Sequence, residues 1–198
     1  MNHLSSCIKR LSQHATDFGA SDAKVIPLDL IGIEDEVPEM CKKPRCDGYG
    51  KSINCPPHTM KPEEFREFVK QYGHAVVFKI DVSIEDMMSE KRNDAFRMIY
   101  EIASKLETMA KDAGSEYSRG FAAGSCKPVF CRGHKVCQAL ADKHACRNPS
   151  MARPSMEAVG INVIKLIRDV GWEIQVINKD SDPESISNVV LAGLVLVA

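Results

Sequence analysis

Seven of the eight cysteines in this 198-residue chain fall in two short segments that are poor candidates for helices or strands. Prolines and glycines interrupt both segments, which is typical of loops. The thiols concerned are Cys41, Cys46 and Cys55 in the first segment, and Cys126, Cys131, Cys137 and Cys146 in the second. The fold must therefore present two cysteine-rich loops while the regular elements between them build the core.

The cysteines are more typical of metal ligands than of disulfides. The first twenty residues lack the continuous apolar run of a secretory signal, so we expect the protein in the cytoplasm, where thiols stay reduced. No stretch approaches the roughly 20 apolar residues of a membrane span, and we expect no membrane insertion. The eighth cysteine, Cys7, lies on the apolar face of a predicted helix and is interpreted as a core residue. The other seven are predicted to bind metal.

The second segment supplies the four thiols that a 4Fe–4S cluster requires, one for each iron. Structural zinc sites typically use two short-spaced cysteine pairs, and this segment has no such arrangement, so the spacing favours iron–sulfur with zinc as the alternative. Common phosphate-loop, esterase and metalloprotease motifs are absent from the sequence. The predicted role is electron transfer or redox support for an anaerobic enzyme. A zinc-stabilised interaction module is the alternative.

The three thiols of the first segment are one short of a complete cluster. The missing ligand could be His58, a cysteine of the second segment, or a substrate bound at an open position. In the last case the protein is an enzyme whose metal acts as a Lewis acid on a small anionic substrate held by Lys51, Arg147 or Arg153. The chain could thus hold one cluster or two, and these alternatives stay open.

Positive charge accompanies both cysteine segments. Residues 41–61 hold five lysines and arginines against one aspartate, and residues 126–153 hold six against one, in a chain with a net charge of −1. Base-stacking aromatics do not interleave with these cations, which disfavours nucleic acid as a partner. Cations beside thiols instead lower cysteine pKa values and offset the charge of a cluster. We expect a redox partner protein or a small anionic ligand.

The length of the chain and its 44% content of hydrophobic residues predict one domain over residues 1–198. Helices are predicted for 4–18, 62–73, 88–113 and 155–170, and strands for 23–31, 74–81, 116–122, 172–177 and 189–197. This order favours an α/β or α+β fold with a single mixed sheet and packed helices, and it allows a ferredoxin-like core across 74–122. Ser155 and Glu157 fit a helix cap and an anion-binding helix start equally well.

Three motifs resemble those of a prokaryotic family. They are Cys46 through Tyr49-Gly50-Lys51 to Cys55-Pro56-Pro57, then Gly124-Ser125-Cys126, and the run from Cys146-Arg147-Asn148-Pro149 to Arg153-Pro154-Ser155-Met156-Glu157. Over most of its length the chain is similar to the domain-of-unknown-function family labelled predicted metal-binding protein. The resemblance implies metal binding through these cysteines and occurrence mainly in anaerobes, with no settled reaction. The chain departs from the family pattern at Asn148, where members carry His.

Overall fold

One four-stranded sheet organises the fold. The computed structural model describes residues 3–175 and 186–198, with side chains from Ile8 onward. Its strands are β1 (Asp22–Pro27), β2 (His74–Ser83), β3 (Ser118–Phe121) and β4 (Asn188–Val197). They lie in the order β1-β2-β4-β3 with antiparallel neighbours. The predicted single sheet with packed helices is confirmed, and its strand pairings are antiparallel rather than mixed.

Helices cover both faces of this sheet. α1 (His3–Asp17) and α5 (Arg92–Asp112) lie on one face, and α7 (Val163–Asp169) and α3 (Pro62–Val69) lie on the other. Three shorter helices connect the main elements: α2 (Glu36–Met40), α4 (Ile84–Met87) and α6 (Cys126–Phe130). None of the helices in the described residues is long and apolar enough to cross a membrane.

The central strand β2 explains why the sheet is buried on both sides. Val76 and Phe78 pack toward α1 and α5, whereas Ala75 and Val77 pack toward α3 and α7. A strand covered on both faces has no need of alternating polar residues, and residues 75–78 are accordingly a continuous apolar run. Gly193 of β4 lies opposite Phe78, and a Cβ at that glycine would collide with the Phe78 ring.

Several predicted elements differ from the structure. The strand expected at 23–31 ends at Pro27 and is followed by a 3₁₀ turn, Leu28–Leu30. The strand expected at 172–177 is wrong for residues 172–175, which have no regular structure, and its last two residues lie outside the described part of the chain. The helix expected from 155 begins as a 3₁₀ turn, Glu157–Val159. Gly160, with a φ of 94°, ends that turn, and α7 begins only after Asn162, whose side chain caps it.

The end of β3 is where the two cysteine segments approach the sheet. β2 and β3 run parallel to each other with β4 between them, while the predicted ferredoxin-like core stays a prediction. Directly after β3, Ala122 forms an isolated parallel bridge with Ser155. A second bridge joins Ile33 to Ile161 and holds the chain that leads into the first cysteine segment. These two bridges position both loops against the core.

Candidate metal centres

The seven cysteines line two separate cavities, and all seven are free thiols. The four-cysteine cavity has a volume of about 20 Å³ and is lined by Cys126, Cys131, Cys137 and Cys146. The three-cysteine cavity has a volume of about 170 Å³ and is lined by Cys41, Cys46 and Cys55. The structure therefore groups the thiols by segment.

Two short stretches of chain separate these cavities. Ser52, Ile53 and Asn54 line the four-cysteine cavity, and the next residue, Cys55, lines the three-cysteine cavity. Ser125, the N-cap of α6, lines the three-cysteine cavity, while its neighbour Cys126 lines the four-cysteine cavity. Cys55 Sγ lies 3.3 Å from Ser125 Oγ, so the two loops are in contact where the cavities adjoin.

Polar side chains contact two sulfurs of the four-cysteine cavity. The buried Ser52 hydroxyl lies 3.2 Å from Cys126 Sγ, and Asn54 Nδ2 donates to the same sulfur at 3.5 Å. Asn148 Nδ2 donates to Cys131 Sγ at 3.4 Å. Hydrogen bonds of this kind stabilise thiolate charge and tune the reduction potential of a bound cluster. Spacing gives no signal for Ser52 or Asn54, which lie 74 and 72 residues from Cys126.

Burial disfavours the thiolate form of the innermost cysteines. It raises the pKa of Cys55 to about 12 and also raises the pKa of Cys126, where hydrogen bonds to the sulfur act in the opposite direction. A bound metal cation favours the deprotonated ligand and reverses this effect. Lys127 and Arg147 line the four-cysteine cavity, where their charge also favours thiolates. In the described structure the wall of the three-cysteine cavity contains no lysine or arginine.

The three-cysteine cavity also contains a carboxyl group. Glu157 lines it together with the three thiols, and the Ser155 hydroxyl donates to Glu157 Oε2 at 2.5 Å. Burial raises the pKa of Glu157, against the effect of that hydrogen bond. Burial is the main cause that raises the pKa of Cys41, and the negative charges of Cys46 and Glu157 raise this pKa further. His58, the ligand suggested by sequence, is exposed and lies outside the described wall of this cavity.

Core packing determines where Glu157 lies. The Ala122 N–H donates to Pro154 O at 3.0 Å, and the Met156 N–H donates to Ala122 O at 3.1 Å. Met156 and Val159, on either side of Glu157, are completely buried. Glu157 is therefore held by a segment that is bonded to β3 and packed into the core, more than a hundred residues along the chain from the cysteines it faces.

The basic residues predicted to bind an anion are not brought together. Lys51 is exposed and lines a third cavity of about 320 Å³ with Lys127 and Arg132. Arg147 is exposed, lines the four-cysteine cavity and donates to Val136 O at 3.1 Å. For both residues anion binding stays a prediction.

Arg153 has a different environment, because it is only 5% exposed. Its Nε lies 2.8 Å from Glu107 Oε2, and its Nη1 donates to Pro149 O and Ala152 O. Glu107 also accepts from the Gly120 N–H and pairs with Lys111 at 2.8 Å. The guanidinium is thus bonded to protein groups and links the end of the second cysteine segment to α5. An additional anion-binding role for Arg153 stays a prediction.

The donor chemistry of both cavities fits a thiophilic metal or cluster. The four-cysteine cavity, with a volume of about 20 Å³, has room for about one water molecule, so a cubane cluster requires its sulfurs to move outward. The regular structure of residues 131–146 consists of two 3₁₀ turns, so moving this loop breaks few backbone hydrogen bonds and costs little free energy. Within residues 3–175 and 186–198, no three His, Cys, Asp or Glu side chains converge as ligands of one metal ion.

Fold and site together define a cysteine-rich protein with one antiparallel sheet, helices on both faces and two thiol-lined cavities. The chain belongs to the family described as predicted metal-binding protein (DUF2284), whose model matches residues 24–197. This match confirms the resemblance seen in the sequence motifs and includes both cysteine segments. No curated protein and no solved structure matches the chain.

Proposed function

We propose that this is an iron–sulfur protein whose four-cysteine cavity holds a 4Fe–4S cluster for electron transfer or redox support of an anaerobic enzyme. The observation that supports it most directly is the grouping of Cys126, Cys131, Cys137 and Cys146 around one cavity. Four thiolates occupy one position on each of four irons, which leaves no iron for a substrate. A centre of that kind serves to accept and release an electron.

The surrounding residues suit this role. Lys127 and Arg147 offset the negative charge of four thiolates, and Asn54 and Asn148 donate hydrogen bonds to sulfur. Because these groups stabilise the more negative reduced state, they raise the reduction potential. The loop between the second and third thiols exposes Val136, which is 65% accessible, so the cavity lies close to a surface that a redox partner could reach.

The test is anaerobic purification followed by an absorption spectrum before and after dithionite. We expect the broad visible absorption of an iron–sulfur cluster and its bleaching on reduction. Cys137→Ser should lose the part of this absorption that comes from a cluster in the four-cysteine cavity. Val136→Ala, at the neighbouring exposed position, is the matched control and keeps the full signal. A wild-type protein that is colourless and unchanged by dithionite would contradict the proposal.

A zinc-stabilised interaction module is the second candidate, and the small volume of the four-cysteine cavity favours it. A cavity of about 20 Å³ suits a single ion better than a cubane. In that case the purified protein contains stoichiometric zinc, no sulfide, and no group that dithionite reduces. The same spectrum with metal analysis therefore separates the two candidates.

A further inference from the structure

Glu107 and Glu157, two glutamates that face inward in the described part of the chain, are stabilised in different ways. Glu107 is surrounded by cations, since Arg153 and Lys111 each lie 2.8 Å from one of its oxygens. Within the described part of the chain, Glu157 forms no ion pair with a lysine or arginine, and it faces three thiols instead. A carboxylate and three potential thiolates in one cavity repel one another unless a cation lies between them.

The position of Glu157 suits it to bind a metal. The Ser155 hydroxyl occupies one lone pair of Oε2, whereas a carboxylate offers about four such acceptor positions. The backbone at Pro154 and Met156, just before Glu157, is bonded to Ala122, and Gly160 N–H donates to Glu157 O, so this carboxylate belongs to a rigid part of the cavity wall. With a volume of about 170 Å³, the cavity has room for a group much larger than a single ion.

We infer that Cys41, Cys46 and Cys55 hold a second iron–sulfur cluster, with the carboxylate of Glu157 as the ligand of its fourth iron. Three thiolates account for three irons, and the remaining iron takes the oxygen donor that the same cavity presents. Oxygen is a harder ligand than sulfur and binds iron of a cluster less firmly, so this fourth position is exchangeable. The inference does not depend on what the four-cysteine cavity holds.

Controlled oxidation tests this coordination directly. When ferricyanide takes one electron from an oxidised 4Fe–4S cluster with one weakly held iron, Fe²⁺ leaves and a 3Fe–4S cluster with a distinctive EPR signal remains. A cluster bound by four thiolates keeps its fourth iron under the same mild treatment. The wild-type protein is expected to give the 3Fe–4S signal on titration with ferricyanide.

Two substitutions at one position give opposite expectations. Glu157→Gln removes the anionic donor but keeps the shape and an acceptor for Ser155, so the 3Fe–4S signal should form several-fold faster. Glu157→Cys supplies a fourth thiolate and should suppress the signal. Glu39→Gln, at an exposed position on α2, is the matched control and should behave like wild type. Identical titrations for wild type, Glu157→Gln and Glu157→Cys would overturn the inference.

Folding and occupancy are checked on the same samples. If Glu157→Cys fails to fold, as judged by circular dichroism, the comparison of Glu157→Gln with wild type decides the test. Iron is counted in Cys46→Ser and Cys137→Ser, and each should lose about four iron ions per chain, the content of one cubane. If only Cys137→Ser loses iron, the inference fails and the proposed function stands. If only Cys46→Ser loses iron, the proposed function fails and the inference stands.

Discussion

The two cysteine cavities lie side by side but differ in what surrounds their thiols. The four-cysteine cavity has cations, Lys127 and Arg147, and side chains that donate hydrogen bonds to sulfur. The three-cysteine cavity is larger, has a carboxyl group from Glu157, and shows no cation in its described wall. Ligand count alone therefore does not define a centre: one environment is suited to a closed, charge-compensated cluster, and the other to a centre with an exchangeable position.

The largest effect expected is that of metal removal, which should act on the loops and spare the sheet. The loop from 131 to 146 has only short turns, whereas Val77 and Phe78 of β2 are completely buried. Metal binding that orders a loop contributes folding free energy to that loop. Hydrogen exchange should show that anaerobic chelation removes protection from residues 131–146 and leaves β2 and β4 protected. Equal loss of protection in loop and sheet would contradict this separation.

Loss of the buried ion pair between Glu107 and Arg153 should loosen both cavities together. Arg153 lies between Cys146 and Glu157 in the chain, and Glu107→Gln leaves its buried guanidinium without a charged partner. Breaking such a pair costs about 3–5 kcal/mol in the free energy of unfolding. Denaturant unfolding under anaerobic conditions measures it. The control is Lys111→Ala, which removes the half-exposed partner of Glu107 and should cost about 1 kcal/mol or less.

Glu107 should also make the free energy of unfolding depend on pH. Burial alone raises the pKa of Glu107, but the Lys111 hydrogen bond, the Arg153 charge and the Gly120 N–H outweigh burial and lower it. The folded state then binds this proton less readily than the unfolded state, so the stabilisation is present at neutral pH. It is lost as the pH falls from the ordinary carboxyl range through the lowered pKa. Glu107→Gln should flatten this part of the stability profile, and an unchanged profile would contradict the assignment.

A smaller effect is expected where the wall between the cavities is tight. A Cβ on Gly48 would lie 3.0 Å from Ser125 Cβ and 3.4 Å from Cys55 Sγ. Gly48→Ala should therefore cost about 1–3 kcal/mol of stability and lower the metal content of the three-cysteine cavity first. Gly133→Ala is the matched control, because nothing lies within 4 Å of its added Cβ. Thermal unfolding and metal analysis of both variants check this prediction.

The smallest effect should come from a single hydrogen bond to sulfur. Asn54→Ala removes the amide that donates to Cys126 Sγ. Loss of such a supporting contact lowers metal affinity by about 10-fold, and it makes the reduction potential more negative because the reduced state loses a donor. Potentiometric titration measures the shift. Asn93→Ala, whose side chain bonds to Glu90 O instead, is the control and should leave the potential unchanged.

The regular elements could be predicted where one physical pattern dominates. β2 and β4 are apolar because they are buried on both faces, and α5 repeats its apolar residues at helical spacing. The strand expected after Trp172 was wrong over 172–175, although its residues favour strands locally. The helix expected from 155 was interrupted at Gly160, whose left-handed φ could not be read from apolar spacing.

The candidate site could be predicted only as far as local spacing reaches. The sequence spacing separates the seven cysteines into two groups, and the structure places each group in its own cavity. Glu157 is a different case, because its own neighbourhood predicts a helix cap and only the bonds to Ala122 bring it to the thiols. Arg153 shows the reverse: its position after the last cysteine suggests a ligand-binding role, while a contact with Glu107 on α5 buries it. Contacts across tens of residues decide both.

We propose that the cysteine segments bind metal, with an iron–sulfur cluster in the four-cysteine cavity. The most direct measurement is the iron, zinc and acid-labile sulfide content of one anaerobically purified sample of the whole protein. We expect about four iron ions and four sulfides per chain if one cavity is filled, and about eight of each if both are. Stoichiometric zinc without sulfide would contradict the cluster, and a protein free of both metals would contradict metal binding itself.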